Sequence, residues 1–309
     1  MSVALAYAFS PRPVPQFHDN DVRIEKTLIL DAEHAGDQIV AIGDGGLIFT
    51  SVDHGFSWQN TASPTNSTLT GLFFLDEKNG WAVGHDSVIL HTTDGGNHWE
   101  QVYAAPAAET PLMDIWFADA SRGYAVGAYG LFMQTTDGGL SWDTRQIIED
   151  DRHLNSIISS ADGTLFIAGE TGTLLRSADN GLTWVKLMTP YNGSFFGMVA
   201  LTDNSLMIYG MRGNILRTEN LGASFAVVKV ATKSSLFGGQ TVSDTNQPEL
   251  VIVGQAGTLL TSNDEGQSFS IQKMPGNVTL TTLLSTKTGT LGFGQRGVTV
   301  IPTLSIDTL

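Results

Sequence analysis

Few side chains in this sequence could do chemistry together. Arg152, Arg212 and Arg296 could clamp a carboxylate, because a guanidinium pairs with one bidentately. Glu170 with Tyr129 could form a nucleophile pair beside an acidic aspartate, which is glycoside-hydrolase chemistry. The run Glu149-Asp150-Asp151 with His153 offers clustered oxygens to a divalent cation. A charge run in a connecting loop is usually only a solvated face. His18, His34, His54 and His98 have no second ligand at useful spacing, and 0 cysteines leave no thiolate metal site and no disulfide. The expectation is therefore no catalytic residue, no cofactor and no metal.

The elements that must position these residues are more informative. One turn motif recurs six times: Ser51 to Trp58, Thr92 to Trp99, Thr135 to Trp142, Ser177 to Trp184, Thr218 to Phe225 and Ser262 to Phe269. Its acidic or amide member is Asp53, Asp94, Asp137, Asp179, Asn220 or Asp264, at intervals of 41, 43, 42, 41 and 44 residues. A period of that size marks a propeller or solenoid array. The Asp accepts hydrogen bonds from its own turn, the Gly two positions on takes a left-handed conformation, and the aromatic packs inward. These residues read as makers of the fold.

A Gly-x-x-Gly element precedes each turn, as in Gly43 to Gly46, Gly127 to Gly130, Gly169 to Gly172, Gly210 to Gly213, Gly254 to Gly257 and Gly294 to Gly297, with Gly84-His85-Asp86-Ser87 as the variant. Flanking apolar runs make each one a two-residue hairpin signal. Because it joins two strands and not a strand and a helix, it is no phosphate loop. Four strands per repeat predict an all-β, seven-bladed β-propeller filling 1–309 as one domain. Its blades fall at about 22–60, 66–104, 110–147, 153–189, 194–230, 234–273 and 278–306. Blade seven has no fourth strand of its own, so the N-terminal strand Val3 to Phe9 is expected to close the ring there. Met113, Met188, Met198 and Met207 lie in or beside strands and read as core.

Lys plus Arg is 16 and Asp plus Glu is 31, a formal charge of −15 that argues against nucleic acid or an anionic membrane surface as partner. No run of 18 apolar residues could insert in a bilayer. Ala-x-Ala at Ala4-Leu5-Ala6 to Ala8 fits the end of an export signal, and a periplasmic protein is expected.

In a four-stranded blade the Gly-x-x-Gly hairpins and the blade-to-blade connections share one end. That end presents Asp44, His85, Asp86, Tyr129, Glu170, Arg212, Gln255, Gln295 and Arg296, with Arg152, His153, Tyr191 and Phe195 from the connections. It is the expected partner-binding face.

Phe73 to Gly84, followed by Ile89 to Trp99, resembles a repeat of the Ycf48 family of photosystem II assembly factors, within the wider group of Asp-box (BNR) propellers. Phe117 to Gly127 with Thr135 to Trp142 repeats the match. The resemblance implies a non-enzymatic scaffold that holds an integral membrane protein or a membrane complex. Members often carry an Arg before the Ser or Thr of the turn motif, building a basic patch. Here that position is Thr50, His91, Gln134, Arg176, Arg217 and Thr261, which points toward a bacterial envelope role. The rival expectation is a sialidase-like glycoside hydrolase or carbohydrate-binding propeller. Arg12-Pro13-Val14-Pro15 does not match the sialidase Arg-Ile-Pro signature.

Overall fold

Seven sheets form where the apolar runs repeat, in a computed structural model that describes residues 22–201, 204–242 and 249–302. Six are four-stranded antiparallel meanders. In blade two, for example, Leu69–Phe74, Gly80–Gly84, Ile89–Thr92 and Glu100–Tyr103 run from the axis outward. Blade seven has three strands among the described residues, Leu280–Thr286, Gly289–Gly294 and Gly297–Val300. The expected closing strand Val3 to Phe9 lies outside the described residues.

The second strand of each blade explains why the sequence reads as continuous apolar runs. Gly80–Gly84, Gly123–Gly127, Leu165–Gly169 and Leu206–Gly210 are buried at every position, because both faces of the strand meet a neighbouring blade. The core is accordingly a series of interfaces between adjacent blades. One joins Val40, Ile42 and Ile48 of blade one to Leu69, Leu72 and Leu90 of blade two. Another joins Ile29, Ile39 and Phe49 of blade one to Leu284, Leu291 and Phe293 of blade seven, so the circle closes through packing.

A bulge near the start of each innermost strand turns side chains toward the neighbouring blade. Thr70 Oγ1 donates to Leu112 O at 2.7 Å and Asn155 Nδ2 to Phe195 O at 2.7 Å. Thr281 Oγ1 donates to Ile29 O at 2.7 Å, which is the same stitch across the closure. One residue further on, Asp31 accepts from Leu72 N and Asp114 from Ile157 N, again one blade ahead. The segment entering blade one adds a backbone bond to blade seven, from Gly297 N to Thr27 O.

Met207 and Met198 are core, at 0% and 5% exposure, and Met113 lines an axial cavity. Met188 is the correction, being 87% exposed. It follows the two-residue outer strand Val185–Lys186, whose residues are themselves exposed, and no blade covers it.

Candidate functional site

The hairpin end is built by one backbone contact repeated around the ring. The amide after each first Gly donates to the carbonyl just before the innermost strand. Asp44 N bonds to Leu28 O, His85 N to Thr68 O, Glu170 N to His153 O, Gln255 N to Ser235 O and Gln295 N to Thr279 O. A Cβ on Gly43 or Gly84 would overlap that carbonyl, which is the steric reason for Gly there. In blade seven the two-residue hairpin expected from sequence forms, with Gly294 paired to Gly297. In blades one, two, three, five and six the chain instead makes a 3-10 turn with a left-handed residue at its centre. Asp86, Tyr129, Thr171, Arg212 and Ala256 hold this conformation without being glycine, at φ of 54 to 59°.

The predicted face residues fall into separate local groups. Tyr129, 63% exposed, sets its ring edge-on to His153 at 5.0 Å. His153 Nδ1 lies 3.7 Å from Glu170 Oε1, and its backbone N–H donates to Glu170 Oε2. Arg152 donates to Thr171 Oγ1 at 3.0 Å and lies 3.8 Å from Asp150, which also faces Lys186. Tyr191 donates its hydroxyl to Met211 O beside exposed Arg212, and partial burial raises its pKa. Asp44 accepts from Thr68 Oγ1 and Asp86 from Ser67 Oγ, so both carboxylates tie the hairpins of blades one and two to the connection between those blades. Gln255 lies by Ser235, and His85, Gln295 and Arg296 are exposed. Arg296 edges a cavity of about 270 Å³ with Met274, Pro275 and Val300.

Phe195 is a correction. It is fully buried, because the bulge after it turns its side chain into the interface between blades four and five. Arg152, Arg212 and Arg296 have different partners and surroundings, and Glu170 engages His153.

At the opposite end, each turn motif forms one bonding pattern. Thr135 Oγ1 donates to Asp137 Oδ1 at 2.8 Å and accepts from Gly139 N at 2.9 Å. Asp137 also accepts from Ser141 N and Ser141 Oγ. Asp53, Asp94, Asp179, Asn220 and Asp264 repeat this within their own turns. Hydroxyl donors lead the causes that hold Asp53, Asp137 and Asp179 at about 2, below the ordinary carboxylate value.

The arginines before these turns do not form a free patch. Arg176 donates to Leu221 O and Arg217 to Glu265 O, each a carbonyl in the next blade's turn. Arg217 is 8% exposed and also pairs with Glu219. In blade three, where that position is Gln134, Arg145, just after the outer strand Asp143–Thr144, reaches Gly181 O and Leu182 O of blade four. In blades one to three the Trp N–H donates to the turn Gly carbonyl, as Trp58 does to Gly55. In blade four Arg145 holds Gly181 O, and buried Trp184 Nε1 has no acceptor among the described residues.

Residues 50–110 and 104–240 match the family model described as Photosynthesis system II assembly factor YCF48. The chain belongs to the YCF48 family. It is 47% identical over 45 residues to the photosystem II assembly lipoprotein Ycf48 of Synechocystis sp.. That match covers 14% of this chain and only 13% of the curated relative's length. Among solved structures, YCF48 bound to D1 peptide superposes with a TM-score of 0.72 at 19% identity, covering 88% of this chain and 92% of that one. A streptogramin B lyase reaches 0.77 at 12% identity, covering 90% and 94%. At such identities the likeness shows the fold alone. Sequence reasoning passed over one feature of this propeller, the carboxylates Asp31, Glu33 and Asp114 near the axis. The available signal was an acid inside an apolar strand run, twice at the third position.

Proposed function

We propose that this YCF48-family chain is a scaffold with no turnover of its own, which holds a membrane protein or envelope complex against its hairpin end in an exported, periplasmic setting. The observation that carries the reading is the ring of anchored hairpins with outward left-handed residues such as Tyr129 and Arg212. A non-glycine residue in that conformation costs on the order of 1–3 kcal/mol and persists where its surroundings over-determine it. Side chains so fixed bind with little further ordering. Two comparisons support the direction: a related propeller was solved with a D1 peptide, and a curated relative is a lipoprotein. No helix among the described residues is long and apolar enough to cross a membrane.

A hydrolase reading has less support. The carboxylate clamp would need Arg152, Arg212 and Arg296 on one ligand, whereas each has its own surroundings. The fold shared with a lyase carries no chemistry by itself. Pull-down from detergent-solubilised envelope should recover an integral membrane protein, and Arg212→Glu with Arg296→Glu should abolish capture while leaving the melting temperature unchanged. Undiminished capture by that double variant would move the site off this face. Release of sugar from sialosides would favour the hydrolase.

A further inference from the structure

At the hairpin end the innermost strands surround an axial cavity of about 170 Å³. Its wall carries Asp31 and Asp114 with Asn155, Ser156 and Thr282, and no Lys, Arg or His among the described residues. Asp31 accepts from Ala32 N and Leu72 N at 2.9 Å each, and Asp114 from Ile115 N and Ile157 N at 2.8 Å each. These bonds fix both carboxylates, and every oxygen keeps acceptor capacity. A third oxygen joins them. Tyr209 is 2% exposed, and its hydroxyl reaches the cavity between Gly197 and Gly239, where a Cβ would crowd it. That hydroxyl has no hydrogen-bond partner among the described residues, although a buried phenol ordinarily finds one. Phe196 and Phe237, with ring centroids 5.4 Å apart, line the same cavity.

We propose that this axial mouth binds a primary ammonium group, and that in a protein partner the group is the end of a lysine side chain. An ammonium brings three N–H donors and no acceptor, matching two carboxylates and a phenol oxygen. The aromatic pair suits its alkyl stem and its charge. A divalent metal ion fits less well, since among the described residues no group of three or more His, Cys, Asp or Glu could hold one. Burial pushes Asp114 up to about 6 and Glu33 up to about 7. Burial, followed by the charges of Glu33 and Asp114, raises Asp31 well above its ordinary value. Burial, then Asp114 and Asp31, raises Tyr209. An entering ammonium therefore displaces a carboxyl proton to the buffer. The ammonium site stands on the cavity alone, whereas its assignment to a partner's lysine rests on the function proposed above.

Calorimetric titration of the purified ring with n-butylammonium at about pH 6, where Asp114 and Glu33 still hold protons, tests the site. Saturable binding with proton release is expected, and none for n-butanol. Asp114→Asn should weaken binding about tenfold and Tyr209→Phe about threefold or more, as loss of charge-assisted bonds implies. Tyr209→Phe removes one oxygen and carries the test alone if Asp114→Asn does not fold. Absence of saturation, unchanged binding by Tyr209→Phe, or equally tight binding of potassium chloride overturns the proposal. An acetylated Gly-Lys-Gly peptide should compete with butylammonium and its norleucine counterpart should not. Failure of the lysine peptide overturns the lysine assignment. Butylammonium binding without capture of any membrane protein refutes the proposed function and leaves the ammonium site standing.

Discussion

Replacing Thr135 by valine isolates what the recurring turn contributes. The side chain is 2% exposed, and valine nearly reproduces its shape, so the change removes an oxygen from a buried place. Three bonds go with it: those accepted from Gly139 N at 2.9 Å and from Asp137 N at 3.3 Å, and the one donated to Asp137 Oδ1 at 2.8 Å. Gly139 is itself buried, so its N–H loses its partner where water cannot replace it. An orphaned buried donor costs about 1–3 kcal/mol, and a bond to a charged acceptor is worth about 1.5–3 kcal/mol. These bonds overlap in one turn, so their sum overstates the loss, and roughly 3 kcal/mol is expected. At about 2–4 °C per kcal/mol for a domain of this size or somewhat smaller, the melting temperature should fall by about 6–12 °C. Urea unfolding should show a lower midpoint at unchanged slope. Ser141→Ala, which removes only an exposed hydroxyl from the same Asp137, serves as the comparison and should cost about 1 kcal/mol or less. If Thr135→Val melts with the wild type, or Ser141→Ala is equally damaging, the turn is not held by its buried hydroxyl.

Stability should peak in mildly acidic solution. Asp53, Asp137 and Asp179 have depressed values of about 2, so their contribution is full above the ordinary carboxylate range and is lost as pH falls toward 2. Asp114 and Glu33 are raised to about 6 and about 7, so the folded state holds their protons more tightly, and stability declines as pH rises from about 4 through those values. Chemical denaturation across that range checks the sign, and a curve that rises steadily from acid to neutral pH would contradict it. Thr281→Val should cost about 1–2 kcal/mol and speed amide exchange at the junction of blades one and seven. Thr70→Val, losing the same stitch inside the ring, should cost a similar amount. A closure variant with no effect beside a damaging Thr70→Val would mean that side-chain stitching does not hold the ring shut.

Architecture was legible because its signals repeat. The Asp-box period and the Gly-x-x-Gly elements each state the blade many times over, so one irregular copy such as Asn220 or Ser87 does not hide the pattern. The hairpin end could be deduced because strand direction alternates along a meander. What could not be read was which side chains remain free. Arg176 and Arg217 resemble a basic patch in one dimension, yet each ends on a carbonyl some 45 residues away in sequence. Phe195 looked like part of a connection until the bulge turned it inward, and Met188 looked like core although its short outer strand has no cover. Asp31 and Asp114 read as incidental polarity in a strand. Their significance depends on several blades meeting at an axis, which no local window contains.

The guanidinium contacts from Arg145, Arg176 and Arg217 span only the junctions from blade three to blade six. The Arg145 and Arg176 clasps end on neutral carbonyls, so added salt screens them less than it screens a surface ion pair, whereas Arg217 also faces the Glu265 carboxylate. Circular permutants should therefore differ by where the new ends are cut. Opening the chain between blades one and two leaves all three clasps within continuous sequence, whereas opening it between blades four and five leaves the Arg176 clasp to bridge the cut.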